Sequence, residues 1–139
     1  MAPRLKSSLN EAAARAALRR RTVLWQENFN GEHWQECWEL VDPKLSHAGK
    51  VKQEAYCESL RRFKGVYGRI RNWHIRISLH LAGGENSSDP RPFAYVYIVW
   101  QDDRHAFHMF RERWVLEGKK WFTRVAGLVV TDEATSKAG

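Results

Sequence analysis

The spacing of apolar residues changes about halfway along the chain. Up to residue 63 they recur every three to four positions, which is typical of amphipathic helices. From Ile70 onwards they alternate with polar residues, which is typical of strands with one buried face. Helices followed by a run of strands predict an α+β domain, with the helices on one face of an antiparallel sheet.

Three helices are predicted in the first half. They cover about residues 8–30, 32–41 and 53–63. Ser8 and Glu11 have the spacing of a capping box, which places the first helix start at Ser8. The second helix ends at Asp42–Pro43 because the residue before proline avoids helical geometry. Residues 44–52 are either a loop or hold one short strand.

Four strands are predicted in the second half. They cover Ile70–Ala82, Phe93–Gln101, His105–Leu116 and Lys120–Thr131. In the first strand Trp73, Ile75 and Ile77 share the side assigned to the helices. The chain is interpreted as one domain over residues 1–139, with flexible tails at 1–7 and 132–139.

The turn at Asp102–Asp103 decides which strand residues lie together. A loop of two or four residues keeps one parity and places Tyr97 opposite His108. With that parity, Tyr95 and Tyr97 share the helix side with His108, Glu112 and Trp114. The opposite side is apolar enough to predict an interface with a second chain. The predicted dimer interface comprises Ile98, Trp100, Phe107, Met109, Arg111, Arg113, Phe122 and Arg124.

The order of elements resembles a known superfamily. The stretches "WELVDPKL", "AYCESLRRF" and "YIVWQDDRHAFHMFRERWVLEGKKWFTR" are similar to the nuclear-transport-factor-two-like group, a cystatin-like α+β roll shared with ketosteroid isomerase and scytalone dehydratase. The resemblance implies three helices packed in the concave face of a strongly bent antiparallel sheet. It also implies a cavity inside the cone and dimerisation through the outer sheet face. Neither enzyme's catalytic set of tyrosine, histidine and aspartate residues can be matched position by position, so no reaction follows.

The candidate site consists of residues predicted to point into the cone. The predicted ligand-binding set is Trp73, Tyr95, Tyr97, His108, Glu112 and Trp114. Glu112 is the first catalytic candidate, because a carboxylate among aromatic rings has a raised pKa suited to general-base work. Alternatively, an arginine or tryptophan donor satisfies Glu112, and the tryptophans are ordinary core. His108 and Tyr97 are the other catalytic candidates and would form a better pair than His108 and Glu112, which lie about 13 Å apart along a strand.

Composition narrows the function classes. The net charge is +7, and the cysteines Cys37 and Cys57 are too few for a disulfide framework, which predicts buried free thiols and a cytosolic setting. The sequence contains no apolar run of membrane-spanning length and no metal or cofactor signature. The leading hypothesis is a small-molecule-binding protein that could carry lyase, isomerase or hydrolase activity. The alternative is a non-catalytic dimeric interaction module. Nucleic-acid binding through a basic surface is the least favoured, and its candidate residues are Arg19, Arg20, Arg21, Arg61, Arg62, Arg69, Arg71 and Arg76.

Overall fold

The structure is a computed structural model that describes residues 2–83 and 89–124, with side chains described from residue 10 onward. The helices are α1 (Ala2–Asn30), α2 (Trp34–Trp38), α3 (Pro43–Ser46) and α4 (Gln53–Tyr67). The strands are β1 (Arg71–His80), β2 (Phe93–Gln101), β3 (Phe107–Glu117) and β4 (Lys120–Thr123). The predicted α+β class is confirmed. The four strands form an open antiparallel sheet in the order β1-β2-β3-β4.

The helices differ from the prediction at their ends. Helix α1 ends at Asn30 as predicted but already begins at Ala2, so Ser8 lies within the helix and not at its start. Pro43 does not follow a long second helix. It opens α3 as the first helical residue, because its missing N–H is not needed there, and the Asp42 side chain accepts a hydrogen bond from the backbone N–H of Lys44. Helix α4 continues through Gly65 and ends at Gly68.

Gly68 follows α4 and packs against the turn between β2 and β3. Its φ of 79° is in the left-handed region, and a Cβ at this position would overlap the carboxylate of Asp103. The backbone N–H of Asp103 donates to the carbonyl of Tyr67 at 3.0 Å, and its carboxylate accepts from Arg71 Nε at 2.9 Å. Glycine is therefore required here by both backbone conformation and space.

The register of the β2–β3 hairpin corrects the predicted faces. Gln101 pairs with Phe107, so the loop has five residues, an odd number, and Tyr97 lies opposite Arg111 instead of His108. His105 adopts a φ of 67°, and the carboxylate of Asp102 accepts from the backbone N–H groups of Arg104 and Ala106. These bonds stabilise a longer turn than the paired aspartates suggest. The odd length exchanges the two sides of β2 relative to the prediction.

Two faces of the sheet follow from this register. The inner face, which packs against the helices, comprises Ile75, Ile77, Leu79, Ala94, Val96, Ile98, Trp100, His108, Phe110, Glu112 and Trp114. The outer face comprises His74, Arg76, Ser78, His80, Phe93, Tyr95, Tyr97, Val99, Phe107, Met109, Arg111, Arg113 and Val115. In the second hairpin the parity is as predicted, but the turn lies at residues 118–119 and Trp114 pairs with Thr123 instead of Trp121. Residues 125–131 of the predicted last strand lie outside the described part of the chain.

The core fills the space between the inner face and the helices. Helix α1 supplies Leu18, Trp25 and Phe29 at helical spacing, and all three are buried. The rings of Trp25 and Phe29 stack at 5.2 Å, and Phe63 of α4 contacts both Phe29 and Trp100. The core is thus dominated by aromatic rings, whose large area supplies much of the stabilisation on burial. None of the described helices combines the length and apolar character needed to cross a membrane.

A network of buried ion pairs lies at the end of the sheet opposite the turn between β2 and β3. Asp42 is fully buried and accepts from Arg91 at 2.7 and 2.8 Å and from Arg124 at 2.6 Å. Arg91 also donates to Asp89 and Glu117. Burial raises the pKa of Asp42, but the hydrogen bonds from Arg91 and Arg124 outweigh it and hold the pKa below its ordinary value. The network joins the turn before α3, the segment before β2 and the ends of β3 and β4.

Replacing Arg91 with Met should strongly destabilise the protein, because Arg124 is then the remaining cation paired with the buried Asp42 among the described residues. We expect the free energy of unfolding at pH 7 to fall by about 3–5 kcal/mol in urea denaturation. Arg62→Met on the exposed side of α4 is the control and should change it by less than about 0.5 kcal/mol. Because the pKa of Asp42 is depressed on folding, the network stabilises above the ordinary carboxyl pKa. The difference between wild type and Arg91→Met should therefore shrink as the pH falls below about 4. An Arg91→Met protein as stable as the control would contradict this account.

Candidate functional site

Glu112 is the polar group in the middle of the inner face. It lies opposite Val96 and is flanked on its own strand by Phe110 and Trp114, and only 4% of its surface is exposed. Among the described residues no lysine, arginine or histidine forms an ion pair with it. The inward position predicted from the sequence is therefore found, and no helix arginine with a described side chain forms an ion pair with the carboxyl group.

The environment of Glu112 favours its neutral form. Burial raises the pKa of Glu112 to about 8 because a charged carboxylate loses its hydration in this site. The indole of Trp114 acts in the opposite direction and lowers the pKa in part, although its N–H does not reach the geometry of a hydrogen bond. At neutral pH the group is mostly a carboxylic acid, which can both donate and accept a hydrogen bond.

Helix α4 brings a second polar group towards Glu112. The hydroxyl of Tyr56 accepts from the indole of Trp25 at 3.0 Å in the buried core. Burial raises the pKa of Tyr56 well above its ordinary value, and the negative charge of Glu112 raises it further, so the two groups are close enough to interact electrostatically. The indole N–H groups of Trp73, Trp100 and Trp114 are buried and have no hydrogen-bond partner among the described residues. Unpaired buried donors and acceptors are rare in folded proteins, and here several lie on one face of the sheet.

His108 occupies the inner face at the opposite end of β3 from Trp114. Its Nε2 lies 2.8 Å from the Asp102 carboxylate, and its ring stacks on Trp100 at 4.5 Å and meets the ring of Tyr67 edge-on at 4.9 Å. The hydrogen bond from His108, with further ones from two backbone N–H groups, lowers the pKa of Asp102. The aspartate was predicted only as a turn residue, so the sequence reading missed this pair. The signal for it was the six-residue separation of an aspartate and a histidine across a hairpin loop.

Tyr95 and Tyr97 do not belong to the inner site. Both are predicted ligand contacts, but the odd loop places them on the outer face. There Tyr97 lies beneath the guanidinium of Arg76 at 4.9 Å, and Tyr95 beneath that of Arg111 at 4.8 Å. The predicted pairing of Tyr97 with His108 is therefore wrong. Trp73, His108, Glu112 and Trp114 remain on the inner side, with Trp73 stacked on Trp25 at 6.5 Å.

The register also separates the residues of the predicted dimer interface, because some lie under the helices and others on the outer face. Ile98 and Trp100 are fully buried under the helices and cannot belong to it. Phe107 and Met109 are on the outer face and are 69% and 73% exposed. Arg111 and Arg113 share that face, whereas Arg124 is held in the Asp42 network and Phe122 lies under Arg21 of α1 at 5.0 Å. Dimerisation stays a prediction, and its apolar basis is smaller than the sequence indicated.

Two cavities lie beside a pair of rings that adjoins the inner site. The rings of Trp38 and Tyr56 are 5.7 Å apart. A cavity of about 450 Å³ is lined in part by Trp38, Val41 and Phe122. A cavity of about 330 Å³ is lined in part by Tyr56 and the preceding turn at residues 49–52. Neither is lined by Glu112, and Tyr56 is the ring of this pair that interacts electrostatically with Glu112.

The cysteines are structural. Cys37 and Cys57 are both buried and unbridged, as predicted, and burial raises the pKa of Cys37 to about 12. Their thiols point towards the backbone carbonyls of Trp25 and Trp34 at 3.8 and 3.7 Å. A thiol that stays protonated is a poor nucleophile, so neither cysteine adds chemistry to the site.

Replacing Glu112 with Gln should change how stability depends on pH. The unfolded chain ionises at the ordinary glutamate pKa, whereas the folded protein holds its proton up to about pH 8. Unfolding therefore releases a proton between these values, and wild-type stability falls as the pH rises through this window, by up to about 1.4 kcal/mol per pH unit. Glu112→Gln lacks this loss, so urea denaturation at pH 5, 6.5 and 8 should show a growing advantage for the variant.

The exposed Glu11 provides the matched control. Glu11→Gln makes the same chemical change on the surface of α1 and should differ from wild type by a nearly constant small amount across the three pH values. A strong destabilisation by Glu112→Gln at every pH would mean that a cation pairs with Glu112 in the folded protein.

Replacing His108 with Phe should raise the pKa of Asp102, because the hydrogen bond from His108 is the largest cause of its depression. Phenylalanine keeps a ring against Trp100 but cannot donate to the carboxylate. Carboxyl carbon shifts followed by NMR across an acid titration would measure the change. The pKa of Asp103, which Arg71 lowers, serves as the internal reference and should not move.

The chain was also compared with known proteins. No family model, curated protein or solved structure matches it. The resemblance to the nuclear-transport-factor-two-like superfamily consequently stays a prediction.

Proposed function

We propose that this protein binds a small molecule inside the domain and that Glu112 is the group that contacts it. The observation that carries the proposal is a buried carboxyl group with no cation partner among the described residues. Such a group lowers stability relative to an apolar side chain of similar size, so packing alone does not account for it. Buried ionisable groups are normally paired, and those that are not are concentrated at functional sites.

The chemistry of the site favours a neutral, flat ligand with an oxygen atom. A protonated Glu112 donates to a carbonyl or hydroxyl oxygen, and the unpaired indole N–H of Trp114 is a second donor. The rings of Trp25 and Trp73 provide apolar surface of the kind that covers most of a bound ligand. An anionic ligand is disfavoured because no cation lies against Glu112 among the described residues to compensate its charge.

Entry requires the Trp38–Tyr56 ring pair to move. The cavities of about 450 and 330 Å³ reach this pair from the surface. Helices α2 and α3, which flank the first cavity, are only five and four residues long, and short elements of this kind can shift at low cost. A ligand that selects the open arrangement would extend one of these cavities to Glu112. A cone with the helices held in a bent sheet, as the superfamily resemblance implies, would have its pocket in this place.

Binding is proposed without a specific reaction. Glu112 has a pKa suited to a general base or acid near neutral pH. His108 cannot assist it directly, because four residues along a strand span about 13 Å. Tyr97, the third catalytic candidate, is on the outer face. Any lyase, isomerase or hydrolase activity would therefore depend on Glu112 with Tyr56 or the ligand itself.

The proposal is tested by screening neutral aromatic carbonyl and phenol compounds for a rise in melting temperature at pH 7. A compound bound at Glu112 should stabilise wild type and Glu11→Gln equally. It should bind Glu112→Leu about 5- to 30-fold more weakly in calorimetry, because losing one neutral hydrogen bond to the ligand costs about 1–2 kcal/mol.

A second variant tests the route. Trp38→Ala removes one ring of the pair and should speed ligand association without removing the contact with Glu112. Two results would contradict the proposal. In the first, every compound that binds has the same affinity for wild type and all variants. In the second, every compound that stabilises wild type also stabilises Glu112→Leu, or none stabilises wild type.

A further inference from the structure

The outer face carries an ordered array of arginines and aromatic rings. Across the strands, Arg76, Tyr97 and Arg111 form one row, and Ser78, Tyr95 and Arg113 form the next. Each arginine is placed over a ring of this face. The guanidinium carbon lies 4.9 Å from the ring centre for Arg76 over Tyr97, 4.8 Å for Arg111 over Tyr95 and 4.1 Å for Arg113 over Phe93. Such contacts hold the guanidinium groups in place. Arg76 and Arg111 are exposed, whereas the Nε of Arg113 is buried.

The charge of this array is uncompensated. None of the outer-face positions of β1, of β2 or of β3 from Phe107 to Val115 is an aspartate or glutamate, and Glu117, the next outer-face position of β3, is paired with Arg91. Within the described chain, none of Arg76, Arg111 and Arg113 forms an ion pair. His74 and His80 are exposed on the adjacent edge strand. A surface with fixed cations and no local anion is complementary to an anionic partner.

One end of the array is apolar and open. Phe107 and Met109 are among the most exposed large apolar side chains of the described residues, at 69% and 73%. They lie on the same strand as Arg111, at successive outer-face positions. Phe107 is four residues from Arg111, about 13 Å along the strand. An exposed ring at one end of a row of arginines is a combination that suits a strand whose base stacks on the ring while its neighbouring phosphates contact the arginines.

We propose that the outer face binds single-stranded nucleic acid, with phosphates on Arg76 and Arg111 and a base on Phe107. Double-stranded nucleic acid fits less well, because its bases are stacked on one another and offer no ring face to Phe107. A second copy of the chain fits less well too, because self-pairing of this face would bring uncompensated arginines together. This binding site lies on the opposite side of the sheet from Glu112 and does not depend on the small-molecule site.

The test uses fluorescence anisotropy with labelled 15-nucleotide oligo-dT and oligo-U, in 50–300 mM salt. Wild type should bind both, with an affinity that falls as salt rises by a slope of about 0.7 for each phosphate contact. The double variant Arg76→Gln/Arg111→Gln should bind about tenfold or more weakly, with the slope reduced by about 1.4. A difference between the two oligonucleotides would show whether the 2′-hydroxyl is read.

Two further variants separate the outer face from charge in general. Arg19→Gln/Arg20→Gln removes the same charge from the exposed side of α1 and should change the affinity by less than about twofold. Phe107→Ala should weaken both oligonucleotides by about fivefold or more, the lower end of a stacking contribution, and should leave heparin binding unchanged.

Several results would overturn the proposal. Equal losses of affinity in Arg76→Gln/Arg111→Gln and in Arg19→Gln/Arg20→Gln would show that the binding depends only on net charge. Heparin or polyglutamate bound as tightly as the oligonucleotides, with no effect of Phe107→Ala, would indicate an acidic protein or polysaccharide partner instead. A wild-type dimer in light scattering that Met109→Lys splits, together with no oligonucleotide binding, would assign the face to self-association.

Discussion

The turn between β2 and β3 determines the chemistry of both sides of the sheet. The Asp102 carboxylate binds two backbone N–H groups within this turn and the ring of His108 beyond it, which stabilises a loop of five residues. Because side chains alternate along a strand, the odd length of the loop decides whether a tyrosine or an isoleucine of β2 faces the helices. With five residues, Val96, Ile98 and Trp100 are buried and the tyrosines face outward. The apolar core and the cationic surface are two consequences of the same hydrogen bonds.

The two faces place charge in different ways. On the inner face Glu112 is isolated among aromatic rings and is stabilised as a neutral acid. On the outer face the arginines lie over aromatic rings, whose faces attract cations, and Arg76 and Arg111 are exposed. The Asp42 network is a third arrangement, in which buried opposite charges satisfy one another. Only this third arrangement is explained by the stability of the fold, which is why the other two are the candidates for function.

The fold class and the element order could be predicted because they depend on hydrophobic period alone. The side of β3 that carries Glu112 was predicted correctly for the same reason. The face of β2 could not be predicted, since both of its sides are apolar: Tyr95 and Tyr97 alternate with Val96 and Ile98. With no polar side to fix the register, the loop length decided it, and that length depends on a left-handed His105 and on side-chain bonds of Asp102. The Asp42 network was not predicted because Asp42, Arg91 and Arg124 are distant in sequence, Asp42 had a local explanation at a helix end, and Arg124 was assigned to the dimer interface.

The Asp42 network also has a consequence for the order of events in folding. Asp42 is separated from Arg91 by 49 residues and from Arg124 by 82 residues along the chain. These ion pairs can form only after the strands between them have paired, whereas the hairpin contacts are local. The network is therefore expected to be absent from the transition state and to act on the unfolding rate, with little influence on the folding rate. A slower folding phase after disruption of the network would contradict this order. The Asp42 network therefore determines the lifetime of the folded protein through the unfolding rate, whereas the turn at Asp102 influences the folding rate.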